Sequence, residues 1–400
     1  MIRTIFFVLG LAVLGGSSAQ TVIPFWHSQD ATQDTIAQLA DDFNASQSDY
    51  RVVPEYAGNY EDAAIQLASS LDSGNEPVLF DSELTVFARL VEEGALAPLS
   101  DLAGELSSEV VDDFYPALWG YGDTSGDRYG LPWNMSVPVL FYNASAFGQR
   151  GVEAPATWDE FEAAADRMTT RQTTGYIHVT AALIFETMVV TRGGQIVTDD
   201  GQPNFTSDAA VETLEMLQRM VEADHATVRT FAQLDAAVVD FVRTRGMMAF
   251  ASIAFWPQSQ RYDIAFNPEA APVPKGSSPN IPLLGAQLVI LDGASDAQRR
   301  GAFEFWRFLV EPENIDTWVR ASYFLPVRRS AVDLLQDWYD AEPARRIGLQ
   351  ELENAVPRPR VGAYTTWQGY LEEAIERALR RGTDPREALA EAQRRAEQSQ

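Results

Sequence analysis

Three histidines, His27, His178 and His225, are the only imidazoles in the chain, and they stand far apart. A histidine metal centre would need all three to converge, and their spacing makes no HExxH pattern. The acidic pairs Asp41-Asp42, Glu92-Glu93 and Asp112-Asp113 fall on expected polar helix faces, where they read as solvated charge. The two carboxylates of a glycosidase need not be neighbours in sequence, so a secreted carbohydrate-active enzyme stands as the alternative class. No GxSxG elbow, phosphate-binding P-loop or GxGxxG turn occurs. The sequence therefore assigns no catalytic residue, no metal ligand and no cofactor.

The aromatic residues say more. Trp26, Tyr60, Trp133, Tyr142, Trp256, Phe324, Tyr364 and Trp367 lie at or near expected strand ends and turns. Open α/β sheets bind ligands at the carboxyl ends of their strands. Aromatic faces there suit the apolar faces of sugars and polyols, with neighbouring polar groups taking the hydroxyls.

The elements that would position these residues alternate. Residues 22–26, 50–56 and 77–80 read as strands, and 32–44, 60–71 and 84–93 as helices, the second capped by Asn59. Strands spaced by such helices imply right-handed βαβ units and a mostly parallel sheet. A second series follows, with strands at 137–142, 175–179, 247–251 and 288–291. Its helices are expected at 158–169, 207–222, 231–241 and 296–310. From Thr365 the tail reads as helix, broken at Gly382 and Pro385, with fraying expected at the end.

With 400 residues the chain exceeds one compact core, and 46% hydrophobic with 22% charged residues excludes general disorder. Residues 1–19 read as a secretory signal: Arg3, an apolar run over 5–14, then small residues before Gln20. No later stretch reaches eighteen unbroken apolar residues, the length of a membrane span. Loss of that leader removes Arg3 and takes the formal charge from −27 to −28, which repels nucleic acid. Cysteine is absent, which excludes disulfides, thiolate metal sites and a lipidated cysteine anchor. A free protein outside the inner membrane, periplasmic and monomeric, is the expectation.

Several segments carry a resemblance. Ile23-Pro24-Phe25-Trp26-His27-Ser28, Val53-Pro54-Glu55-Tyr56 with Gly58-Asn59-Tyr60, and residues 137–143 followed by Ala146-Phe147 are similar to the periplasmic glycerol-3-phosphate-binding proteins of bacterial ABC importers. Pro312-Glu313-Asn314, Trp318 and Leu325-Pro326 extend the likeness into the C-terminal half. Thr157-Trp158-Asp159-Glu160 and Pro312-Glu313-Asn314 alone mark only the wider family of extracellular solute-binding proteins (family 1), many of which bind oligosaccharides.

The resemblance implies an α/β fold of two lobes with a hinge and a ligand cleft between them. The lobes would be 20–134 plus 286–323 and 135–285 plus 324–400, with crossings near Asn134, Gly285 and Phe324. It implies a membrane permease as partner, and glycerol 3-phosphate or a glycerophosphodiester as ligand, with an uncharged sugar as the alternative. The family's ligand contacts fall on Tyr60, Glu83, Ser136, Ser252 and Gly285. Glu83 could accept two hydroxyls, the serines could donate to oxygens, and Gly285 permits close backbone approach. Three further positions depart. The family's Tyr falls on Phe324, its Trp on Thr180, and its phosphate-gripping Arg on Gln368. Glutamine cannot replace a charged two-pronged donor, and Arg358 or Arg360 could stand in.

Overall fold

The computed structural model describes residues 20–124, 126–257, 266 and 268–399. The expected leader, 1–19, lies outside the described residues. The early chain follows its apolar spacing closely. Strand β1, Thr21–His27, turns Ile23, Phe25 and His27 inward. Helix α1, Gln33–Ser46, buries Ile36, Leu39, Ala40 and Phe43, one face at helical period. Then come β2, Tyr50–Tyr56, and α2, Tyr60–Ser73, whose first N–H groups bond to the Asn59 side chain. Strand β3, Leu79–Glu83, runs straight into α3, Leu84–Glu92.

Two five-stranded sheets form, one in each lobe. The first has the order β2, β1, β3, Leu284–Ile290, Gly130–Ser136. The second has the order Pro268–Ala271, Pro138–Asn143, Gly246–Ser252, Thr174–Val179, Ala226–Arg229. Each sheet is parallel except for one reversed strand, Leu284–Ile290 in the first and Pro138–Asn143 in the second. Both reversed strands are the ones the chain enters on arriving from the other lobe.

The first change of sheet falls at Val137, between Ser136 and Pro138. The return falls between Ala271 and Leu284, and Gly285 already pairs with Met135 in the first sheet. After the helix Pro312–Ser322 the chain passes Phe324, and the Leu325 N–H bonds to the Met135 carbonyl. Residues 327–330 stay with the first lobe, where Arg328 pairs with Asp113 at 2.8 Å and the Tyr115 N–H bonds to the Val327 carbonyl.

Some elements differ from expectation. The strand expected at 288–291 begins four residues earlier, at Leu284, and the one expected at 77–80 runs Leu79–Glu83. The final helix runs Pro385–Gln398, and Pro385, Ala388, Leu389, Ala392 and Ala396 are buried, packed toward the helix Tyr364–Arg381. Gly130–Ser136 was not foreseen, because all seven residues are buried and leave no alternation, and Pro132 reads as a strand breaker. The helix Ala182–Thr191 is buried on nearly every side, so it lacks an amphipathic period. Among the described residues, no helix is long and apolar enough to cross a membrane.

Candidate functional site

The carboxyl ends of both sheets face one cleft of about 640 Å³. Tyr60 enters it from the first residue of α2, Glu83 from the end of β3 and Thr85 from the first turn of α3. The second lobe contributes Ala181, Ala182, Leu183 and Phe231. Arg358 and, on the helix Tyr364–Arg381, Thr365, Gln368 and Glu372 complete the wall. This is where a twisted open sheet leaves strand ends and helix starts without partners.

Arg358 holds the centre, with its side chain 3% exposed. Its Nη1 donates to Glu83 Oε1 at 2.8 Å and its Nε to Glu186 Oε2 at 3.1 Å. Nη2 lies 3.0 Å from the same Glu186 oxygen, close enough for attraction but unaligned for a hydrogen bond. The Tyr364 hydroxyl donates to Glu186 Oε2 at 2.9 Å. Burial acts to lower the Arg358 pKa, but Glu186 and then Glu83 outweigh it, so the guanidinium is held charged. Glu83 also caps α3, accepting from the Thr85 N–H at 2.7 Å and from the Thr85 hydroxyl. Its carboxylate is thus largely engaged by the protein's own donors, which leaves little acceptor capacity for ligand hydroxyls.

The cleft's charge is uneven. Glu61, Glu83 and Glu372 line it against Arg89 and Arg358. Arg89 stands 3.8 Å from Glu93. Burial raises the Glu372 pKa, opposed by the Ala182 N–H that bonds to its carboxyl at 2.8 Å. Gln368 adds a neutral amide where a third guanidinium would even out this balance.

Behind Tyr60 sits a second polar group. The Gln29 amide donates to the Tyr60 hydroxyl at 2.7 Å and to Asp81 Oδ2 at 2.9 Å. The Asn134 amide reaches both Asp81 oxygens, at 3.1 and 3.0 Å. Asp81 is fully buried, and burial pushes its carboxyl up to about 7 despite these donors. Burial, and then the charge of Asp81, raise the Tyr60 phenol well above its usual value.

At the crossings, Ser136 and Ser252 meet with their hydroxyl oxygens 2.6 Å apart. Ser252 also accepts from the Ala254 N–H at 3.1 Å, the local turn bond that a serine there would make anyway. Gly285 has φ +103°, and a Cβ built on it would lie 1.8 Å from the Asn134 carbonyl oxygen. Close backbone approach is therefore real there, to the protein's own chain. Phe324 is buried and stacks on Trp318, with ring centres 6.1 Å apart. Thr180 is also buried.

A family model described as bacterial extracellular solute-binding protein matches residues 38–347. The chain belongs to this family. It is 27% identical over 419 residues to the sn-glycerol-3-phosphate-binding periplasmic protein UgpB of Escherichia coli (strain K12), covering 98% of this chain and 95% of the relative. UgpB from Mycobacterium tuberculosis, solved in complex with glycerophosphocholine, superposes with a TM-score of 0.85 at 22% identity, covering 95% of this chain and 98% of that one. Lmo0181 from Listeria monocytogenes, solved with cycloalternan, superposes at 0.84 and 21% identity, covering 95% and 99%. The fold is thus the two-lobed solute-binding fold.

Within this solute-binding protein, the expected residues divide. Tyr60, Glu83 and Gln368 line the cleft, and Ser252 lines an apolar cavity that adjoins it. Ser136, Gly285 and Phe324 sit at the crossings between lobes. The aromatic expectation transfers poorly: Trp133, Trp256, Tyr364 and Trp367 are core residues, while Tyr60 and Phe231 line the cleft. Glu186, Asp81, Gln29 and Phe231 were not foreseen. Glu186 lies inside a helix buried on nearly every side, and only a lone charge in an apolar run could have flagged it. The three histidines belong to separate places: His27 on β1, His178 on Thr174–Val179, and His225 beside Asp166 at 3.2 Å.

Proposed function

We propose that the protein is the periplasmic, unanchored solute-binding subunit of an ABC importer, working as a monomer with a membrane permease. It binds its ligand rather than transforming it. The lobes close on the ligand about the crossings at Val137, 272–283 and Phe324, because contacts from both lobes favour the closed form. The proposed ligand is a glycerophosphodiester, taken in preference to free glycerol 3-phosphate.

The observation that carries this choice is the engagement of Arg358 by Glu83 and Glu186 in a cleft with more carboxylates than guanidiniums. A phosphate monoester carries about −1.5 to −2 near neutral pH. Enclosing it there is costly when Arg358 is already shared between two carboxylates and only Arg89 is left to offset the charge. A diester carries one negative charge, and a cationic alcohol on it brings the net charge to zero. Glu61 and Glu372, with the face of Phe231, suit such a cation. The M. tuberculosis complex with glycerophosphocholine supports the diester, while the E. coli relative, named for sn-glycerol 3-phosphate, supports a glycerol phosphate without favouring the diester. The same excess of carboxylate favours a neutral sugar as the second reading.

Mass spectrometry of the ligand released from protein purified without unfolding tests the proposal. A glycerophosphodiester is the expected species. A neutral oligosaccharide would move the assignment to the second reading, and recovery of the free monoester would contradict the preference.

A further inference from the structure

We propose that a cavity beside the cleft is an apolar subsite for an alkyl or aryl substituent on the same ligand. The cavity measures about 190 Å³. Phe141, Val179, Ala237, Phe241, Ala249 and Phe255 form its walls, between the second sheet and the helix Leu234–Val242. Among the described residues its one hydroxyl, on Ser252, is already engaged with Ser136 and the Ala254 N–H. Phe231 is 48% exposed and Leu234 39%, large apolar side chains left to water in the cavity's lining.

Continuity with the cleft decides the occupant. Ala181, Leu183 and Phe231 line both spaces, so the cavity adjoins the polar site. From the first lobe, Ile65 on α2 lines the cleft with 65% of its surface exposed. A cavity lined this way holds water poorly, and an apolar void of about 150 Å³ takes up benzene. The space therefore fits a substituent of about six carbons, carried by a molecule whose polar part lies against Tyr60, Gln368 and Glu372. The occupant is thus an amphiphile: a polyol head with a short hydrophobic alcohol attached, in place of the cationic alcohol that Glu61 and Glu372 would take. This rests on the cleft being the ligand site, as proposed above.

The test is calorimetric titration of the full protein with two series of equal tail length. One is glycerophosphoethanol, -butanol and -hexanol; the other is ethyl, butyl and hexyl glucoside. Affinity is expected to rise about fourfold per added methylene, in line with the burial of each group in an apolar space. Ala237→Leu, which fills the cavity, should abolish that rise while leaving glycerophosphoethanol binding unchanged. Should this variant not fold, Ala251→Val narrows the same space from the sheet. A diester series that binds with no dependence on length overturns the subsite and leaves the ligand proposal standing. Length dependence in the glucosides alone, with no diester binding, supports the subsite and removes the glycerol-phosphate reading. No length dependence in either series overturns the subsite outright.

Discussion

Arg358 Nη1 lies 2.8 Å from Glu83 Oε1, so a residue late in the chain is tied to the end of a first-lobe strand. Through Nε the same guanidinium holds Glu186 of the second lobe. Around it, Arg360 donates to the Asp123 carbonyl at 2.8 Å, and the Gly362 N–H bonds to Glu92 at 2.9 Å. The segment 356–362 is thus a strap between the lobes, with Arg358 as its clasp.

Arg358→Ala would leave two carboxylates facing one another without a counter-charge. Removing one member of a buried ion pair costs about 3–5 kcal/mol. Glu83 keeps some access to solvent, so the lower end of that range is expected. Guanidinium denaturation checks it, and a loss below about 1 kcal/mol would show that the clasp adds little.

Gly285→Ala is expected to destabilise strongly or to shift the crossing. Its φ of +103° disfavours any side chain, and the new Cβ would meet the Asn134 carbonyl oxygen at 1.8 Å. A loss of about 3 kcal/mol or more is the expectation, at the high end for a single substitution. An unchanged melting temperature would show that the strand can shift freely there.

Asp81 gives the protein a pH signature. Its carboxyl titrates at about 7 when folded, above its ordinary value of 3.8, so the folded state binds the extra proton between these values. Its contribution is complete below pH 4 and is lost as the pH rises through 7, by on the order of 4 kcal/mol. His27 and His178, lowered by burial to about 4 and about 3, act in the opposite sense below pH 6.5. Comparing Asp81→Asn with wild type from pH 5 to 8 isolates the Asp81 part. Wild type should lose stability relative to the variant as pH rises, and parallel curves would place Asp81 in a wetter setting.

Much of the frame was legible from apolar spacing. Ile36, Leu39, Ala40 and Phe43 announced α1, and Asn59 announced the start of α2. Burial on all sides hid the rest, because a segment such as Gly130–Ser136 or Ala182–Thr191 has no polar face to give it a period. Tyr60, Glu83 and Gln368 were expected from likeness to relatives and line the cleft, but the ion pair that Glu83 makes was not expected. Its partner Arg358 lies 275 positions away, and no local pattern records a contact at that range.

The central claim is that the cleft takes a glycerol phosphate diester better than the monoester, because Gln368 stands where a third cation would. Calorimetric titration of wild type and Gln368→Arg with glycerophosphocholine, glycerol 3-phosphate and maltose tests it most directly. Wild type should bind glycerophosphocholine at least about tenfold more tightly than glycerol 3-phosphate, a difference of about 1.4 kcal/mol. Gln368→Arg should strengthen the monoester and narrow that gap. Equal or tighter monoester binding by wild type, with no gain from the arginine, would contradict the account.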